Sequence, residues 1–351
     1  MVKMLHLGLL ALSAALCEAT KLIIKPDNAK SFTDPKMPHL LNFTESQFSS
    51  ALGTSYWTTT FLTASDKHQY LIVSHALLSY LGVEDPDITA RYSILDITDP
   101  SRFWVYLGYV PTPESFAGPD KRLSIDYPSF GFKALTDDSV SKIQAWGERP
   151  DFGFNLTFEA TTQVLVNNGG GTWNWGTGNT TEWALPSCRT TGTLTLDEKV
   201  LTIDPANSFT WYDRQFSHGA PLGNWTWFEL NFPKSEIKAS VWAIDSNEPS
   251  PGNWRFATVR TKTGLEILTI DFDSSKDKTW TSPDSNITYP LQWDLKFSNG
   301  DYLSISSMRP EQEMYGNRSA TDIAYEGGIV AKGSFMGQKT GFGVVEIVQT
   351  I

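Results

Sequence analysis

The sequence predicts an all-β chain folded as two antiparallel barrels or sandwiches, and three observations carry that expectation. Strand-sized runs rich in Val, Ile, Thr and aromatic residues recur along the 351 residues, most bounded by Gly, Pro, Asn or Asp. No long helical segments separate them, so a series of βαβ units is excluded. The segments 53–73 and 223–244 share a loose plan of glycine, Trp-bearing strand, charged turn and second apolar strand, which favours two related β domains. The aromatic load (13 Trp, 12 Tyr and 20 Phe) exceeds what a generic core needs and fits strand packing or broad ligand-facing walls.

Taken in order, residues 20–50 read as an irregular arm, because Asp27, Asn28, Asp34 and Pro35 interrupt its short apolar pieces. A hairpin follows: YWTTTFLT, the polar turn ASDKH, then QYLIVSHALLSY. RYSILDIT, RFWVYLGYV, FGFNLTFEATTQVLV and GTLTLDEKVLTI continue the strand series, with a short helical turn expected within 134–146. The glycine-rich stretch 167–180 interrupts it. Lacking phosphate-loop spacing, this stretch is a flexible rim whose Trp173 and Trp175 either stack on a ligand or pack between domains. From 208 a second block runs to the C-terminus. The expected division is residues 20–200 and 201–351, with the junction near 196–207.

Residues 1–19 read as a secretory signal peptide: Lys3, an apolar run from Leu5 to Leu16, then small residues before cleavage after Ala19. Its removal takes Cys17 and leaves Cys188 alone, so no intrachain disulfide is expected. Six sequons, at Asn42, Asn155, Asn179, Asn224, Asn286 and Asn317, predict a glycoprotein that is luminal or extracellular. No later segment is apolar and long enough for a membrane helix. The formal charge of −11 argues against a nucleic-acid partner.

Metal and cofactor chemistry find no motif. His39, His68, His75 and His218 are scattered, and HExxH, GxSxG and dinucleotide fingerprints are absent. A glycosidase needs only two carboxylates and aromatic platforms, for which Asp213, Glu229 and Asp271 are the candidates. In the run Trp211-Tyr212-Asp213-Arg214-Gln215, alternation puts Trp211, Asp213 and Gln215 on one face and Tyr212 and Arg214 on the other. In the next strand Trp225 and Trp227 oppose Phe228, Leu230 and Phe232. Such a strand either separates a packed layer from an aromatic-lined cavity or simply fills a core.

The WYDRQ cluster, Gly219, the WTWF strand, Tyr56-Trp57 and the terminal GFGVVE segment together resemble the AttH/CrtC-like double-calycin family over residues 40–350. That family includes carotenoid hydratases and fungal Diels–Alderase-like pericyclases. The resemblance implies two lipocalin-like β domains holding an apolar polyene or polyketide-derived small molecule, with no cofactor. Hydratase-like members tend to carry His between the Asp and Gln of the cluster. Arg214 stands there in this chain, which weakens direct transfer of water addition to an isolated alkene. With the signal peptide and sequons, the chain looks like a fungal cofactor-independent hetero-Diels–Alderase joining a tropolone-type o-quinone methide to a humulene-type sesquiterpene. The alternatives are a decalin-forming Diels–Alderase or hydratase/isomerase, and a secreted lipocalin-like binder. On the leading reading Asp213 and Gln215 orient substrate or assist loss of water, and Tyr212 or Arg214 hydrogen-bonds a substrate oxygen. Trp57, Trp211, Trp225, Trp227 and Trp242 form apolar walls, and His75 either satisfies a core hydrogen bond or protonates a ligand.

Overall fold

A computed structural model describes residues 21–34, 38–80, 86–219, 223–246 and 252–349. Two antiparallel β-sheets dominate, in the double-calycin arrangement the sequence predicts. The first has 13 strands. Its path runs Phe103–Val110, Ile88–Asp96, Gln69–Ser79, Gly53–Thr63, Phe209–Ser217, Gly178–Leu196, Phe152–Glu159, Lys142–Glu148, Phe130–Ala134, Ser124–Tyr127. Three short strands, Leu165–Val166, Thr172–Trp175 and Lys199–Thr202, pair with Gly178–Leu196. The second sheet closes into an eight-stranded barrel. It is formed by Gly223–Asn231, Lys238–Ser246, Gly252–Thr261, Gly264–Ser274, Gln292–Phe297, Tyr302–Ser307, Ala324–Phe335 and Gln338–Val348. Pairing of Tyr302–Ser307 with Ala324–Phe335 and of Gln338–Val348 with Gly223–Asn231 completes the closure, which removes free edges.

The hairpin expected at 56–80 forms, with Ala64 N donating to His68 O and Lys67 at φ 72° turning the chain. Two local expectations are corrected. Residues 134–146 make no helical turn: Asp138 accepts from the Val140 and Ser141 amides and from the Thr136 hydroxyl, tightening a turn between Phe130–Ala134 and Lys142–Glu148. Among the described residues the α-helix is the four-residue Phe43–Ser46 in the arm, capped by Asn42. The chain also stays in the first sheet through Phe209–Ser217 and enters the barrel at Gly223, past the junction drawn near 196–207. The DPAN turn there joins Lys199–Thr202 to Phe209–Ser217 within one sheet.

Alternation assigns the layers. Phe228, Leu230 and Phe232 point into the barrel with Val241, Val259, Trp293, Leu303 and Ile329. Trp227, on the opposite face, meets Trp57, Phe61, Trp211, Trp242 and Phe342 in a separate apolar layer between the sheets. The barrel interior is therefore a core, and the aromatic wall lies outside it. Phe228 is fully buried with its ring 5.6 Å from Trp293. Phe228→Ala is expected to cost about 3–5 kcal/mol, read as a lower urea midpoint at unchanged slope. An unchanged midpoint would overturn the assignment of this face to the core.

Candidate active site

The site grows from strand register. Arg91, His75, Trp57 and Asp213 are paired residue to residue across four neighbouring strands of the first sheet, so their side chains share one face. On the barrel, Phe256, Trp242, Trp227, Glu346 and Glu326 form a second such row. The two rows meet. Trp57 and Trp227 stand edge to face at 4.8 Å, the Trp57 indole N–H donates to Glu326 at 3.4 Å, and Arg91 forms a buried ion pair with Glu326. Beside this contact a cleft opens between the sheets, enclosing about 800 Å³ with part of it open to solvent. Its lining includes Ser55, Trp175, Glu182, Asp213, Gln215 and Trp225.

The cleft gathers acids in a setting that resists ionisation. Asp213 is pushed up to about 8 by burial, helped by the charge of Glu346 and opposed by the Trp211 indole N–H at 3.3 Å. Glu182 lies diagonal to Asp213 on the adjacent strand and is raised well above the carboxylate range by burial and by Asp213. Its Oε1 accepts from the Asn167 side-chain amide at 2.7 Å. Glu346 reaches about 7 through burial and the neighbouring Glu326, and accepts from the Trp225 indole at 3.1 Å. Glu326 behaves oppositely. Burial raises it, but the adjacent charge of Arg91 more than reverses this and holds it at about 2.

His75 is kept neutral by burial and by Arg91. Nδ1 lies 2.9 Å from Arg91, which can only donate, and 3.2 Å from Glu326, which when ionised can only accept; the shorter contact assigns Nδ1 as an acceptor and leaves Nε2–H to donate to Ser55 Oγ at 2.9 Å. His75, Glu326 and Glu346 converge within 4.8 Å as metal ligands would. The Arg91 guanidinium touches all three, 3.7 Å from Glu346, and already supplies the positive charge at that point.

Of the predicted residues, Trp57, His75, Asp213, Gln215, Trp225, Trp227 and Trp242 line the cleft. Trp211 is buried behind it, orienting Asp213 and contacting Trp227. Tyr212 and Arg214 do not reach it. Tyr212 donates to Gln47 at 2.7 Å in the core of the first sheet, while Arg214 lies over the Tyr56 ring at 4.2 Å and donates to the carbonyl of Ser55. The period of two that turns Asp213 inward turns both outward, so they take no direct part. Glu229 is buried away from the cleft lining, bonded to Thr59 and Asn231, and Asp271 is exposed on the barrel, which removes the glycosidase pair. Trp175 lines the cleft, and Trp173 packs on Trp242 and Phe256. Gly219 is required where it stands, since a Cβ there would lie 2.4 Å from Gly178 N and Trp175 O. Cys188 is a buried free thiol pushed well up by burial. All six sequon asparagines are exposed, and residues 1–19 lie outside the described residues. No helix among the described residues is long and apolar enough to cross a membrane.

Arg91, Glu182, Glu326 and Glu346 were missed as site residues. A lone arginine in the otherwise uncharged run ITARYSIL was a usable signal for Arg91, whereas Glu182 and Glu326 join the site only through register.

This fold and site are those of an AttH-like calycin, and the chain belongs to that family, whose model matches residues 120–349. It is 34% identical over 97% of its length to kievitone hydratase of Fusarium solani subsp. phaseoli, covering 95% of that protein. It is 32% identical to dehydratase asqC of Emericella nidulans, with 91% of each chain covered. The crystal structure of kievitone hydratase from Nectria haematococca superposes with a TM-score of 0.85 at 32% identity, covering 94% of this chain and 99% of that one. These relatives overturn the expected hetero-Diels–Alderase: they are a hydratase and a dehydratase, not pericyclases. Arg214 does not weigh against water addition, because its side chain faces the core rather than the cleft.

Proposed function

We propose that the chain is a hydro-lyase, adding water to or removing it from a carbon–carbon double bond of an apolar small molecule. The observation that carries this reading is Asp213, a carboxyl held up to about 8 at the wall of a Trp-lined cleft, where it stays protonated at neutral pH. Hydration and dehydration are one reaction in opposite directions, so a single acid and base serve both. In the hydration direction Asp213 transfers its proton to one alkene carbon, and the positive charge left on the other faces the indoles of Trp57, Trp225, Trp227 and Trp242. Water adds there and gives its surplus proton to Glu346, whose value of about 7 suits a base. Proton exchange with solvent resets both carboxyls. Six exposed sequons support passage through the secretory pathway as a glycoprotein.

The test is incubation with kievitone, and with a panel of paired alkenes and alcohols, in deuterium oxide. The expected product gains one water with deuterium on the protonated carbon, or loses one water in the reverse direction. No turnover of any pair would overturn the reading.

A further inference from the structure

Two polar groups in the cleft are left without work by this chemistry. Ser55 and Gln215 stand directly opposite each other on paired strands, and both line the cleft. His75 Nε2–H donates to Ser55 Oγ at 2.9 Å, so the hydroxyl's own hydrogen remains free to donate. The Gln215 side chain is half-buried, and its Nε2 meets no partner among the described residues. Leaving such a group enclosed and unpaired is unfavourable, a penalty that a ligand oxygen removes.

We propose that Ser55 and Gln215 form a two-donor clamp for an uncharged acceptor oxygen, a ketone or quinone carbonyl, on the substrate. The proposal deepens the hydro-lyase reading and places this oxygen apart from the double bond that Asp213 protonates. A carbonyl oxygen has two lone pairs, matching two donors from adjacent strands. The surroundings disfavour an anion: Glu346, the ionised base in this chemistry, lines the same space. The cation Arg91 also lines the cleft, but its guanidinium is already engaged by Glu326, Glu346 and His75.

The Ser55–His75–Glu326 arrangement also resembles a nucleophilic triad, with contacts of 2.9 and 3.2 Å. Arg91 prevents that role. By donating to Nδ1 it fixes the tautomer in which Nε2 carries the hydrogen, and such an imidazole cannot take a proton from Ser55. What it does is hold the Ser55 oxygen still with its hydrogen pointing elsewhere. His75 is thus a positioning residue.

The experiment uses fluorenone and fluorene, two inert molecules of one shape that differ in the carbonyl, titrated by quenching of tryptophan fluorescence. Two hydrogen bonds at about 1 kcal/mol each amount to a preference of tenfold or more for fluorenone. Gln215→Leu and Ser55→Ala are each expected to reduce that preference, and together to abolish it, while fluorene binds as before and so reports an intact cleft. Equal binding of the two probes by the natural chain would overturn the clamp, as would variants that weaken both probes alike. Because neither probe reacts, the outcome is independent of whether the hydro-lyase reading stands.

Discussion

Asp213→Asn is expected to lower kcat about a thousandfold, the middle of the range for losing a positioned general acid. The amide keeps the shape of the carboxyl and can still receive the Trp211 N–H, but it has no proton to give. The pH profile separates this role from a structural one. Asp213 must be protonated and Glu346 ionised, and their values of about 8 and about 7 put the optimum of the natural enzyme between them. These values belong to the interacting set of acids and are read as limbs of one bell-shaped profile. The rate falls as pH rises through the upper value. In the Asn variant the alkaline limb disappears with the activity, whereas Glu346→Gln removes the acid limb.

Stability moves in the same direction with pH. Folding raises Asp213 from 3.8 to about 8, so between those values the folded chain binds more protons than the unfolded one and stability declines with rising pH. Replacing the acid with a neutral amide flattens that decline. A variant with full activity, or with an unchanged alkaline limb in its residual rate, would remove Asp213 from the acid role.

Much of this site was legible in the strand period. The pattern WYDRQ separates Trp211, Asp213 and Gln215 from Tyr212 and Arg214, and the structure keeps that separation, with the first three at or behind the cleft. The same alternation, applied to Arg214, disarms the argument drawn from it: a residue one step from Asp213 cannot share its face. What stayed hidden is what depends on pairing between distant strands. Glu326 is 251 residues from His75 and 235 from Arg91, yet contacts both. Glu346 lay inside the GFGVVE segment but its role follows only from standing opposite Trp227 and Glu326. The aromatic excess was read as wall or core, and it is both, since Trp57 and Trp227 hold the sheets together and border the cleft in one contact.

That double duty makes the charges behind the tryptophans the second large sensitivity. Arg91 and Glu326 are buried, at 1% and 0% side-chain exposure, and they join a strand of the first sheet to a strand of the barrel. The ion pair need not contribute much net stability compared with apolar residues of similar size, but removing one partner leaves the other charged and enclosed. Arg91→Met is therefore expected to cost about 3–5 kcal/mol near neutral pH, seen as a fall in Tm. In the natural chain Glu326 is held at about 2 against 4.5, so its contribution is present above 4.5 and is lost as pH falls toward 2. Without Arg91 the carboxyl titrates higher, and protonating it relieves the unpaired charge. The deficit in Arg91→Met should accordingly shrink as the buffer is lowered to about pH 4, and adding Glu326→Gln should recover part of it at neutral pH. A deficit that is the same at both pH values and unaffected by the second substitution would mean that Arg91 acts by packing alone. The His75 tautomer, and with it the aim of Ser55, would then need another cause.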